Sequence, residues 1–158
     1  DRAIALGASG PVARASGLAY DIRRAHPYEV YDRVQFDVPV RTEGDCLARY
    51  LVRMEEMRQS VRIIRQCLEQ LPPGEIRSKV AVTYRPPRGE VYARTESPRG
   101  DVGIYLVSDG SERPYRVKIR APAFSNLYAL TEMMRGWKIA DVIAILGSID
   151  IVLSDVDR

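Results

Sequence analysis

Apolar residues recur along the stretch 45–71 at Leu47, Tyr50, Met54, Met57, Val61, Ile64, Leu68 and Leu71. Steps of three and four residues put these side chains on one stripe of an α-helix, the pattern of a helix packed lengthwise in a bundle. The opposite face carries Arg49, Arg53, Glu56, Arg62, Arg65 and Glu69, and is expected to meet water or a polar partner. Thr42 or Asp45 offers a side-chain oxygen to the first free N–H groups. Pro72-Pro73-Gly74 closes the helix, because proline has no N–H to donate and its ring clashes with the preceding turn. A long helix over 44–71 is thus the expected organising element.

The period changes to two further on. A short strand is expected at Lys79 to Tyr84, and strand composition is plain over Val91 to Glu96, Val102 to Val107 and Tyr115 to Arg120. In the last of these Tyr115, Val117 and Ile119 alternate with Arg116, Lys118 and Arg120, which predicts one buried and one basic face. Ser97-Pro98-Arg99-Gly100 and the Gly- and Pro-containing stretch 108–114 have the chemistry of hairpin connections. Together they predict a small antiparallel sheet over 79–120. Glu96 and Arg99 flank the first connection and are expected to form an ion pair that fixes the turn.

A helix follows from about Ala123 to Met134, with Phe124, Leu127, Tyr128 and Leu130 on one side and Gly136 beyond its end. Ile139 to Leu146 is apolar nearly all round apart from Asp141, the pattern of a helix buried inside something larger. The closing stretch interleaves Ile151, Val152, Leu153 and Val156 with Asp150, Asp155, Asp157 and Arg158, so it is expected to tuck inward with its charges paired. Residues 1–43 show little sustained period after an initial helical turn, and Gly10 to Gly17 reads as a tight structural turn. That stretch lacks the Gly-Lys-Ser/Thr ending of a phosphate-binding loop. The sum is an α+β fold in one domain: an irregular segment 1–43, the long helix 44–71, the sheet 79–120, and C-terminal helices and tail 121–158.

Composition narrows the chemistry. The 158 residues carry 24 Lys+Arg against 21 Asp+Glu, with no long run of one sign, so the basic balance alone argues little for nucleic acid. Arg, Tyr and His in the segment 20–40 would suit stacking on bases, which leaves a basic RNA-binding module as a reading of a different class. Cys46 and Cys67 lie too far apart on one helix to pair with each other, and the single His26 has no ligand partner at metal-binding spacing, so no metal site is expected. No stretch has the roughly 18 apolar residues of a membrane span. The chain starts at Asp1, inside what reads as a helical turn, and is expected to be a piece of a longer protein.

Gly10-Pro11-Val12-Ala13-Arg14-Ala15-Ser16-Gly17, Gly44-Asp45, Arg49-Tyr50-Leu51-Val52-Arg53, Glu96-Ser97-Pro98-Arg99-Gly100, Tyr105-Leu106-Val107-Ser108-Asp109-Gly110, Pro114-Tyr115-Arg116 and Asp155-Val156-Asp157-Arg158 occur in this order. Over nearly its whole length the chain resembles the C-terminal part of the D subunit of the respiratory NADH-quinone dehydrogenases, complex I. That family is similar to the large subunits of nickel-iron hydrogenases, whose chains end in D-P-C-x-x-C-x-x-R. Asp150, Val152, Asp155 and Arg158 stand in that frame, with Val152 and Asp155 where the metal-binding cysteines would be. Valine cannot ligate, so the frame survives without its nickel site.

The resemblance implies a peripheral subunit on the cytoplasmic face of the membrane. It would build, with the iron–sulfur B subunit and in company with other peripheral-arm and membrane-arm subunits, the chamber where quinone is reduced and electron transfer is coupled to proton translocation. Quinone would be the substrate, with NAD and iron–sulfur clusters in the parent complex and none held by this chain. Asp150, Val152, Asp155 and Arg158 become candidates for the chamber wall. No residue here takes the family's quinone hydrogen-bonding role, which lies in the N-terminal part, and this stretch alone is expected to be inactive. The short link from Leu71 to Gly89 resembles archaeal deazaflavin-linked dehydrogenases and energy-converting hydrogenases, which keeps those complexes as alternatives.

Overall fold

The computed structural model describes residues 2–79 and 81–157. Arg158 therefore lies outside the described residues, as does Val80 within the expected strand 79–84. Short helices α1 (Arg2–Ala5), α2 (Gly10–Arg14) and α3 (Ile22–Ala25) occupy the first segment. The long helix α4 (Cys46–Glu69) follows, then the strands β1 (Gly89–Ser97), β2 (Gly100–Ser108) and β3 (Arg116–Arg120). Helices α5 (Pro122–Met133), α6 (Asp141–Ile149) and α7 (Leu153–Val156) complete the α+β chain.

The element around which the chain packs is not α4 but the five residues of α2, every one of them buried. Pro11 suits the first turn of that helix, where an N–H would go unused. Val12 packs with Ala8 and with Ile149 at the end of α6, while Ala15 packs on Ala48 and Val52 of α4. The small side chains let three helices approach. Gly10 also meets the β1–β2 turn: its φ is +63°, and a Cβ there would lie 2.5 Å from the Cα of Gly100. Only glycine meets both demands.

Helix α4 begins as expected, the Asp45 carboxylate accepting the Ala48 N–H at 2.7 Å. Its faces are reversed. Arg49 is 3% exposed, and Ala48 and Val52 are buried beside it, whereas Leu47, Tyr50, Met57, Val61, Ile64 and Leu68 of the apolar stripe are all exposed. Of the two surroundings expected for the charged face, water or a polar partner, the first three turns have the second: Arg49, Arg53 and Glu56 bond to neighbouring elements. Toward its C-terminal end α4 is held through polar contacts to the segment 35–37: Gln66 exchanges two hydrogen bonds with the main chain of Gln35, and Arg62 pairs with Asp37 at 2.9 Å.

The sheet is antiparallel in the order β1-β2-β3, with Gly100 opposite Ser97 and Ile104 between Ala93 and Ile119. Residues 79 and 81–84 form no strand, and pairing starts at Gly89. The Pro-Pro-Arg-Gly run intervenes, and proline cannot complete a ladder. Asp101 roots the sheet, buried and held by the guanidinium groups of Arg94 and Arg120. Beyond this root the strands stand clear of the body. Tyr115 and Val117 are exposed, so the apolar face predicted for β3 is largely open rather than buried.

Helices α5 and α6 start and end within three residues of expectation. Asn126 of α5, 1% exposed, accepts the Ser9 N–H at 3.0 Å and donates to the Arg99 carbonyl at 3.1 Å, tying α5 to the chain before α2 and to the β1–β2 turn. One side of α6 is buried through Ile145 and Ile149, but Ile143 is exposed. Within this chain α6 is therefore half-covered rather than surrounded.

Candidate functional site

Five charged side chains meet where α2, α4 and β1 come together. Arg14, 2% exposed, donates from Nε to Glu56 at 2.6 Å and from Nη2 to Glu96 at 2.8 Å, and its Nη1 donates to the Tyr20 carbonyl at 3.0 Å. Asp21 lies 3.8 Å from Arg14 Nη1. That carboxylate also accepts from Arg23 in a forked pair, Nε at 2.9 Å and Nη2 at 2.6 Å, and caps α3 through the Arg23 N–H. The Glu96 main-chain N–H donates to the Tyr28 hydroxyl at 3.0 Å, which holds the end of β1 against the first segment.

These contacts displace the titrations. Burial pushes the Glu56 carboxyl upward, only partly opposed by Arg14, and burial likewise pushes Glu96 upward. Asp21 moves the other way, because the bonds and charge of Arg23 outweigh the effect of burial. Burial alone would lower Arg14, but the three carboxylates hold it above its ordinary value.

The expected Glu96–Arg99 pair does not form. Glu96 turns inward to Arg14, and Arg99 reaches across to the tail, with Nε donating to the Asp150 carbonyl at 2.8 Å and Nη2 lying 3.4 Å from its carboxylate. The buried charge of Arg14 draws Glu96 inward, while Arg99 finds a carbonyl and a carboxylate together at Asp150. Arg53 joins it there, donating to the carbonyls of Ser148 at 2.5 Å and Ile149 at 3.0 Å, while Arg49 donates from Nε to the Ser148 hydroxyl at 2.9 Å. Arg53 and Arg99 thereby satisfy free carbonyls at the end of α6, and with Arg49 they offset its negative dipole end. Asp150 sits just past that end in the left-handed conformation, φ +60°.

A cavity of about 440 Å³ opens between the two groups, lined by Arg14, Arg53, Glu56, Glu96 and Asp150 with Met57 and Pro98 as apolar wall. Burial lowers the Arg53 guanidinium, opposed by Asp150, and its buried Nε has no hydrogen-bond partner among the described residues. Of the four tail residues singled out in the sequence, Asp150 faces this cavity. Val152 is half-buried at the start of α7, and Asp155 serves α5, its carboxylate accepting the Ala123 N–H at 2.9 Å. Arg158 lies outside the described residues.

Sequence reasoning missed Arg14, Asp21, Arg23 and Glu56. The signal present was an arginine inside the small, apolar run Pro11 to Ala15, where a charge must find a partner. Cys46 and Cys67 are unpaired and half-buried on the same helix. Among the described residues no three His, Cys, Asp or Glu side chains gather as metal ligands. The donors present therefore do not fit an iron–sulfur cluster, which needs several thiolates together.

The family model of the respiratory-chain NADH dehydrogenase 49 kDa subunit matches residues 1–84 and 78–158, the two stretches meeting in the link between α4 and the sheet. The chain belongs to this family. It is 57% identical over 157 residues to the D subunit of the NADH-quinone oxidoreductase of Desulforamulus reducens, covering 99% of this chain and 43% of that protein. Identity to the D subunit of a Dehalococcoides mccartyi strain is 56% over 156 residues, 99% of this chain and 42% of that protein. Against the D subunit of a Wolbachia the identity is 46% over 182 positions, more than this chain has residues, so that relative carries insertions which the first two lack.

Among solved structures, a chain of an archaeal respiratory membrane complex, the membrane-bound sulfane sulfur reductase, superposes with a TM-score of 0.88 at 42% identity, covering 96% of this chain and 43% of that one. The chain thus spans less than half the length of the relatives it matches. Relatives of matching length over this region carry the NADH-quinone oxidoreductase name. Among the described residues no helix is long and apolar enough to cross a membrane.

Proposed function

We propose that the chain forms part of the D subunit of a membrane-associated, proton-translocating NADH-quinone oxidoreductase, where it builds one wall of the chamber in which the quinone head group is reduced. The observation that carries this reading is the 57% identity to such a subunit, extending over 99% of the chain. Reduction of a quinone takes two electrons and two protons. Electrons arrive through iron–sulfur clusters held by a partner, the iron–sulfur B subunit. The residues of this chain supply shape and charge. Asp150, held by Arg99 and lining the cavity, places a carboxylate near the substrate, Asp155 ties the tail to α5, and Val152 stays a candidate for the chamber wall. The subunit sits peripherally on the cytoplasmic face, joined to the other peripheral-arm and membrane-arm subunits.

The test is Arg158→Ala in the intact complex, with quinone reduction and inhibitor sensitivity measured. A raised quinone KM or altered inhibition is expected, and unchanged values for both would remove the tail from the chamber. A second reading rests on the 42% identity to a chain of a sulfane sulfur reductase. Reduction of a polysulfide instead of a quinone by the captured complex would favour it. Activity with a reduced deazaflavin but not NADH would instead place the chain in a deazaflavin-dependent complex.

A further inference from the structure

Of the charged groups facing the cavity, two carboxylates share one cation. Asp21 is satisfied by the forked pair with Arg23, which leaves Glu56 and Glu96 both hydrogen bonded to Arg14. The remaining cations place their hydrogen bonds elsewhere, Arg53 on the carbonyls of Ser148 and Ile149 and Arg99 on Asp150, while the charge of Arg23 acts on both glutamates and that of Arg53 on Glu56. From the first segment the Tyr28 hydroxyl meets the Glu96 main chain, and Tyr31 packs against Arg23. Among the described residues no other cation pairs with the second glutamate. Both side chains are largely buried, 15% exposed for Glu56 and 6% for Glu96. Both accept from one buried guanidinium, at Nε and Nη2, so two carboxylates are held side by side away from water, an arrangement that favours binding a proton.

We propose that Glu56 and Glu96 hold one proton between them across Arg14 and deliver it to the substrate reduced in the cavity. The inference rests on the quinone-chamber reading above and assigns it a proton source. In the transfer the carboxyl O–H bond breaks and an O–H bond forms on a quinone oxygen, while the electrons come from the iron–sulfur chain of the complex. The pair is left with both carboxylates ionised on Arg14, regains a proton from bulk solvent through the cavity and delivers the second in the same way, which completes the two protons of the quinol. The upward displacement of both glutamates, caused first by burial, agrees with this resting state. Residues with this task are expected to affect turnover more than binding.

The experiment uses the intact complex carrying Glu56→Gln, Glu96→Gln or both. Turnover of quinone is measured against pH, and the redox-induced infrared difference spectrum is recorded for the protonated-carboxyl C=O band. Expected are an unchanged quinone KM, kcat lower by about tenfold in each single variant and about a hundredfold in the double variant, and loss of that band. An unchanged band and pH profile in the double variant would overturn the proposal. Should a glutamine variant not assemble, Glu56→Asp and Glu96→Asp keep the titration and must shift the band; an unmoved band in both is equally fatal.

Arg158→Ala in the same preparation separates the two readings. If it leaves KM and inhibition untouched while the glutamine variants lose the band, the chamber assignment fails and the proton pair stands. If it changes KM while the band survives in the double variant, the chamber stands and the pair fails.

Discussion

The two halves of α4 invert the usual arrangement of a helix. In the first three turns arginines and a glutamate are packed against α2, β1 and the end of α6, and in the last three a stripe of Met57, Val61, Ile64 and Leu68 is exposed. Charge is inside because each buried group finds an opposite charge or a carbonyl. Apolar surface is outside because nothing among the described residues covers it. Helical spacing tells which residues share a face, and it does not tell which face the rest of the chain will bury. An apolar stripe this long, together with the open face of the sheet, is a surface of the kind that joins other protein.

The comparison can be broken most severely at Arg14. Arg14→Met would leave Glu56 and Glu96 buried without a cation, at a cost of about 3–5 kcal/mol. The expected result is loss of assembled complex on a native gel, with partial rescue by the triple change that also makes both glutamates glutamine. Next comes Gly10→Ala, which combines left-handed strain of about 1–2 kcal/mol with a backbone clash against Gly100. Proteolysis should open the β1–β2 turn in that variant before any other loop.

A pH series sharpens the contrast further. Glu56 and Glu96 titrate above their unfolded values, so the stability they lend is full below the ordinary carboxyl range and lost as pH rises through their raised values. Asp21, titrating below its unfolded value, contributes the reverse: stability present above the ordinary aspartate range and lost as pH falls through its lowered value. Glu96→Gln should flatten the upper limb of the thermal-stability profile and leave the acid limb in place. The smallest effect belongs to the exposed stripe. Ile64→Ser should change the folding stability of this chain by no more than about 0.5 kcal/mol, read from its denaturant midpoint.

Much of the fold is legible in the sequence because it depends on local rules. Asp45 and the prolines bound α4, and strand composition marks the three strands, with period-two alternation in the last. What stays hidden depends on long-range partners. Spacing pairs Glu96 with Arg99 in the same turn, whereas its partner is Arg14, 82 residues distant. An irregular reading of 1–43 misses that its five-residue helix α2 is the centre of packing, since small residues show no period. Of the candidate tail, Asp150 can be named from the motif frame, but its place beside Arg53 and Arg99 requires the fold.

Asp150 leaves a trace that selection experiments would expose. Its left-handed backbone favours glycine, so an aspartate there is held at a conformational cost of about 1–2 kcal/mol. A library randomised at this codon and sorted for thermal resistance should drift toward glycine. The same library sorted for respiratory growth should return aspartate, and the divergence between the two sortings would measure what the carboxylate contributes beyond holding the chain in shape.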